Sequence, residues 1–233
     1  ISTCWTSANA DTVATEENMD WMIREGALFC WYFYFMPVGR NATNELMPTP
    51  EQRERMYHFI REMREKKPLF TLDFQNDGEF VGGCIAGGRR YLHINAAGDV
   101  EPCVFIHYSN ANIHDVSLLD ALRSPLFMKY YEGQPFNDNY LKPCPMLENP
   151  DVLPKMVAEA GAMSTDLVEK ESPEQLREKT RAAAKAWSSV AERIWNDPKD
   201  PLYTKRHDDM TQGMADSDMH KFEKQGRKLK SNC

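Results

Sequence analysis

Cys84 and Cys103 stand on either side of GGCIAGGRRYLHINAAGDVEPCVF (82–105), a stretch that reads as a tight β-hairpin. In RYLHIN, Leu92 and Ile94 alternate with Tyr91, His93 and Asn95, as in a half-buried strand. The turn AAGD offers Gly98 for a positive φ, and VEPCVF returns. Pro102 has no N–H to give, so the returning strand is predicted to be an edge or bulged. Such a hairpin carries Cys103 back toward Cys84. A third thiol, Cys144, lies in KPCPM between two prolines that stiffen its loop. Three thiolates brought together repel one another, and a soft metal or an iron-sulfur cluster neutralises them. Taken singly, each cysteine also reads as an ordinary small buried residue.

The elements that must position these thiols begin with a βαβ rhythm. Residues 1–7 read as a strand, and Thr15–Glu25 as a helix with Met19, Met22 and Ile23 on one face and Gly26 as its stop. Ala27–Met36 reads as a second strand. Thr49, Pro50 and Gln52 open another helix, with Met56, Phe59, Ile60 and Met63 as its stripe, and LFTLDF follows as a third strand. This alternation predicts a parallel sheet. Three strands with open parallel edges make a poor domain alone, so the pattern reads as the later part of a barrel in a longer protein. After residue 77 short strands and turns take over. Short helices are expected over Ser117–Leu122 and from Ser124-Pro125, then a Pro- and Asn-rich stretch. Ser172, Pro173 and Gln175 open a long helix through Trp195, whose Trp187, Val190, Ile194 and Trp195 read as packing residues. The charged residues 197–233 are expected to form a mobile tail.

Composition narrows the function. The chain has 233 residues, 42% hydrophobic and 11% aromatic, enough for a real core. Its formal charge of -7, from 28 basic and 35 acidic side chains, gives no positive field for nucleic acid. No apolar run reaches the roughly 18 residues of a membrane span. The chain opens ISTCWTSAN, without the marks of a secretory signal. Six cysteines, at 4, 30, 84, 103, 144 and 233, are too few and too widely spaced for a secreted disulfide framework, so a reducing cytoplasm is expected.

With these residues in view, the sequence resembles a known family. Cys84, thirteen residues, Gly98, four residues, Cys103 is similar to the opening of the SPASM/Twitch extension at the C-terminal end of many radical S-adenosylmethionine (SAM) enzymes. NIHDVSLLDALRSPLF (112–127) resembles the family's continuation, and CPMLENP (144–150) its later cysteine segment. FCWYFYFMPVGR and STCWTSAN look like the sixth and fifth strands of its partial (β/α)6 barrel. The fold implied is α/β: the last units of a parallel, TIM-like barrel over 1–77, a hairpin-plus-helices cluster domain over 78–160, a helical segment over 161–196 and the tail. The resemblance implies an auxiliary [4Fe-4S] cluster on Cys84, Cys103 and Cys144, and SAM near Asn9, Met36, Pro37 and Val38. It further implies 5′-deoxyadenosyl-radical chemistry on an unknown substrate, peptide or small molecule, with a reductant protein such as ferredoxin or flavodoxin.

Two departures stand out. The radical-initiating CxxxCxxC motif has no counterpart here, so this chain is not expected to cleave SAM alone. Cys144 is followed by Pro145, Met146 and Leu147 rather than a CxxC, which leaves the fourth ligand unassigned. Cys30 and Cys233 are poor candidates, and an open iron site, a ligand from substrate or loss of the cluster all remain as readings.

Other readings use the same residues. Cys84, Cys103, Cys144 and His107 have the composition of a structural Cys3His zinc site, although His107 also reads as a strand-end histidine. A non-catalytic adaptor that binds a partner through the hairpin and helices is the second alternative. In LDFQNDGEF (72–80), Asp73, Gln75 and Asn76 follow a strand at what would be the barrel's C-terminal mouth, where substrates bind, or form a polar turn. Arg89 and Arg90 read either as anchors for an anionic group or as solvated.

Overall fold

The computed structural model describes residues 1–39, 41–168, 170–203 and 206. Its first elements are β1 (Ser2–Trp5), α1 (Ala10–Val13), α2 (Glu16–Arg24), β2 (Phe29–Tyr34), α3 (Pro50–Lys66) and β3 (Phe70–Asp73). The three strands form one parallel sheet in the order β1-β2-β3. Side chains on β2 alternate between two environments. Cys30, Tyr32 and Tyr34 are buried in a core with Met19 and Met22 of α2 and Met56, Ile60 and Met63 of α3. Phe29, Trp31 and Phe33 point to the other face. There Phe29 stacks on Phe70 at 5.9 Å, while Phe33 meets Phe74 at 5.0 Å and Phe105 at 6.3 Å. This aromatic face is half-buried near the C-terminal ends of the strands and open at the start, where Phe70 is 63% exposed.

The helix starts follow local chemistry. The Thr15 hydroxyl accepts from the Asn18 amide at the head of α2. Thr49 and Gln52 form a reciprocal capping box on α3, with Pro50 at the first helical position. Ser172 and Gln175 do the same before the last helix.

Beyond the sheet come α4 (Gly78–Val81), β4 (His93–Ile94), β5 (Val100–Glu101), β6 (Tyr108–Ser109), α5 (Leu118–Ala121), α6 (Pro125–Gly133), α7 (Val152–Ala160), β7 (Met163–Ser164) and α8 (Pro173–Trp195). β4 and β5 form the expected antiparallel hairpin, turned by Gly98 at φ +88°. It is much shorter than the alternation suggests. The backbone before it coils on itself, with Gly88 N–H bonded to the Tyr91 carbonyl and Arg90 N–H to that of Ile85. Pro102, which has no amide to offer, ends the return strand. β6 pairs with β7, and α7 rises from a segment that reads as a Pro- and Asn-rich loop.

The chain divides into two units, Ile1–Glu192 and Arg193–Cys233. In the second, the Arg206 guanidinium donates to the Ile194 carbonyl at 3.1 Å and pairs with Asp200 at 3.0 Å. Of the stretch 197–233 expected to be a mobile tail, only 197–203 and 206 are described; the rest, Cys233 included, lies outside the described residues. No helix among the described residues is long and apolar enough to cross a membrane.

Candidate functional site

Three separate segments bring three thiols to one cavity. Cys84 follows α4, which ends at Gly82 and Gly83, both at positive φ. The Arg89 guanidinium clamps this loop, donating to the Cys84 carbonyl at 2.9 Å and the Val81 carbonyl at 2.7 Å. Cys103 lies just past β5 in a turn closed by Ile106 N–H on the Cys103 carbonyl, and Gly87 N–H to the Pro102 carbonyl ties the two cysteine loops together. Cys144 arrives on the loop between α6 and α7, held between Pro143 and Pro145.

Each sulfur faces backbone amides. Ala86 N–H points to Cys84 Sγ at 3.5 Å, and the Met146 and Leu147 amides point to Cys144 Sγ at 3.4 and 3.5 Å. The Phe105 and Val104 amides play the same part at Cys103. Amides of this kind stabilise a sulfur that carries negative charge. Burial opposes that charge, pushing the Cys84 and Cys103 thiols up to about 12 and Cys144 upward as well, and the three raise one another. As free groups they are neutral thiols at pH 7. A cationic metal or cluster is what makes thiolates stable in such a place.

The cavity measures about 150 Å³, several times the roughly 30 Å³ that a water occupies in the liquid. Trp31, Phe74, Phe105 and Ile106 supply apolar walls. Among the described residues no three His, Cys, Asp or Glu side chains are arranged to hold a single metal ion. Zinc needs its donors at about 2.0–2.3 Å from one point, whereas a cluster offers several irons to cysteines spread around a cavity. His107 does not join the thiols: its Nδ1 lies 3.5 Å from Glu101 Oε1. Burial would push the Glu101 carboxyl up, but hydrogen bonds from His107, Thr165 and His93 outweigh it and hold its pKa low, and the Glu101 bond raises that of His107. The Cys3His zinc set gains no support, because among the described residues no such group is arranged to hold one ion. Thiols, sulfur-facing amides and room beyond one ion fit a polynuclear cluster.

Residues 84–146 match the family model of SPASM, an iron-sulfur cluster-binding domain. No curated protein and no solved structure gives a significant match to the chain. The SPASM segment contains all three cysteines and reaches two residues beyond Cys144.

Around the SPASM segment, the other predicted residues divide. Asp73 and Gln75 line the same cavity as the thiols, and Asp73 Oδ1 and Gln75 Nε2 are buried without a partner among the described residues. Asn76 does not line it: its side chain bridges Arg53 Nε at 2.7 Å and Asp73 Oδ2 at 2.8 Å. Met36 lines the cavity, Val38 packs on the core and the Pro37 carbonyl accepts from Lys179 Nζ. Asn9 turns inward on its own loop, accepting from Thr6 N–H at 2.6 Å and donating to the Cys4 carbonyl at 3.3 Å. Arg89 is a backbone clamp, so the solvated reading does not hold for it. Cys30 is buried beside Thr3, and Cys4 is exposed on β1.

Sequence reasoning missed Arg53, Glu148 and Tyr130. Arg53 of α3 is 5% exposed and Glu148 7%, and they pair at 2.7 Å. Arg53 also donates to Tyr34 Oη and the Leu141 carbonyl, and stacks 4.0 Å from the centre of the Trp187 ring. The second Glu148 oxygen accepts the Cys144 amide at 2.9 Å. A buried charge pair thus links the sheet and its helix to a candidate ligand loop. The only local hint is the carboxylate four residues after Cys144 in CPMLE.

Proposed function

We propose that this chain is the C-terminal portion of a radical SAM enzyme, and that its SPASM segment holds an auxiliary [4Fe-4S] cluster on Cys84, Cys103 and Cys144. The observation that carries this reading is the shared cavity: thiols from three loops line the space also lined by Asp73 and Gln75 at the exit of β3. Support for the barrel comes from the parallel β1-β2-β3 sheet, with helices on one face and aromatic rings on the other.

When bound, a cluster supplies one-electron chemistry and, at an iron without a protein ligand, a position for a donor atom of substrate. The chain's own residues hold and shield it. Arg89 fixes the backbone of Cys84, and Glu148 fixes the amide of Cys144. Trp31, Phe74 and Phe105 give the thiols' cavity apolar walls. Asp73 and Gln75, polar residues that line the same cavity, would face a substrate there. The SAM-side assignment of Asn9, Met36, Pro37 and Val38 belongs to the same proposal, with Met36 as the member that reaches the cavity.

The test is iron loading of the full chain under anaerobic reconstitution. Cys84→Ala, Cys103→Ala and Cys144→Ala are each expected to lose the bound cluster, whereas Cys4→Ala, at an exposed position on β1, retains it. Equal iron in all four variants would sink the ligand assignment.

A further inference from the structure

Tyr130, on α6, lines the cavity that holds the three thiols. Its side chain is 0% exposed, and its hydroxyl has no hydrogen-bond partner among the described residues. Leaving a buried polar group unpaired is costly, and folded proteins seldom tolerate it. The hydroxyl lies within electrostatic reach of all three thiols: burial raises its pKa first, and Cys84, Cys144 and Cys103 each add to the rise.

The ring is held in place by the cysteine loop itself. Gly87 follows Cys84 by three residues at φ +67°, and a Cβ there would stand 2.4 Å from Tyr130 Cβ. Phe136 packs edge-on with centroids 5.4 Å apart. The backbone that carries Cys84 is thus fitted to this one aromatic side chain, which lines the shared cavity and keeps its hydroxyl buried and unpaired among the described residues.

We propose that the Tyr130 hydroxyl donates a hydrogen bond to the cluster held by Cys84, Cys103 and Cys144, and so raises its reduction potential. This inference rests on the cluster reading above. Thiolate and sulfide sulfurs are acceptors, and a donor aimed at them stabilises the added electron of the reduced state. The contact also satisfies the orphan hydroxyl.

Tyr130→Phe keeps the ring and removes one oxygen. Wild-type and variant full-length protein would be reconstituted anaerobically with iron and sulfide, analysed for both, and titrated by spectroelectrochemistry with electron paramagnetic resonance (EPR). The expected result is unchanged iron and sulfide with a more negative potential. At a fixed applied potential the reduced-to-oxidised ratio falls about tenfold, or about 59 mV for a one-electron couple. Without the cluster, the variant is expected to unfold at no lower denaturant concentration than wild type, because only an unpaired hydroxyl has gone. An unmoved potential in a fully loaded variant overturns this inference alone. Loss of one iron, with a three-iron EPR signal, also overturns it by making Tyr130 a ligand. Failure of wild-type protein to take up any cluster removes the cluster reading itself and this inference with it.

Discussion

At Asp73, burial and the neighbouring Asp77 carboxylate raise the side-chain pKa from 3.8 to about 6, against opposing pulls from Asn76, Arg61 and Arg53. A carboxyl whose folded pKa is raised contributes stability that is full below its unfolded pKa and lost as pH rises through the folded one. Asp73→Asn is therefore expected to gain on wild type as pH passes from 5 to 7, by about 1–3 kcal/mol. Chemical denaturation at both pH values checks this, and stability curves that stay parallel would contradict it. The residues legible in the sequence were those whose signal is local, such as Cys84, Gly98 and Cys103 within one hairpin. Tyr130 was not, because nothing near it in PLFMKYYEG distinguishes a core tyrosine from one lining the cavity of the three cysteines. Arg53 was hidden for a similar reason: in EQRERM it reads as one more charge on an amphipathic helix, and only the distant Glu148 shows its role.

At the scale of elements, α3 and the loop of Cys144 are joined by the Arg53–Glu148 pair. Removing one partner strands a buried charge, so Arg53→Met is expected to destabilise the protein by about 3–5 kcal/mol. The double variant Arg53→Met, Glu148→Met should cost less than the sum of the two single changes, since it strands neither charge. A denaturation cycle measures this coupling, and simple additivity would show the pair to be idle. Elements with terminal chemistry were readable in advance: Thr15, Thr49, Ser117 and Ser172 each cap where the sequence placed a helix start. α7 was not, since Asn149, Pro150 and Asp151 signal a turn and Pro154 falls within its first turn. β6 and β7, two residues each and far apart in sequence, carry no periodicity to read.

In the Ile1–Glu192 unit, a parallel sheet and a SPASM segment meet around one cavity. The alternation of strands and helices foretold that the strands run parallel, because crossover helices leave few other topologies. It did not foretell burial of Asp73, Gln75 and Asn76, which read either as substrate groups at a barrel mouth or as a polar turn until Arg53 and Tyr34 are brought to them from elsewhere in the chain. The cavity is proposed to be a cluster site. The most direct measurement is iron and acid-labile sulfide analysis, with an absorption spectrum, on protein prepared without oxygen. About four irons with matching sulfide and a broad band near roughly 400 nm are expected for a single [4Fe-4S] cluster. Colourless protein that binds zinc, or neither iron nor sulfide after reconstitution, would contradict it.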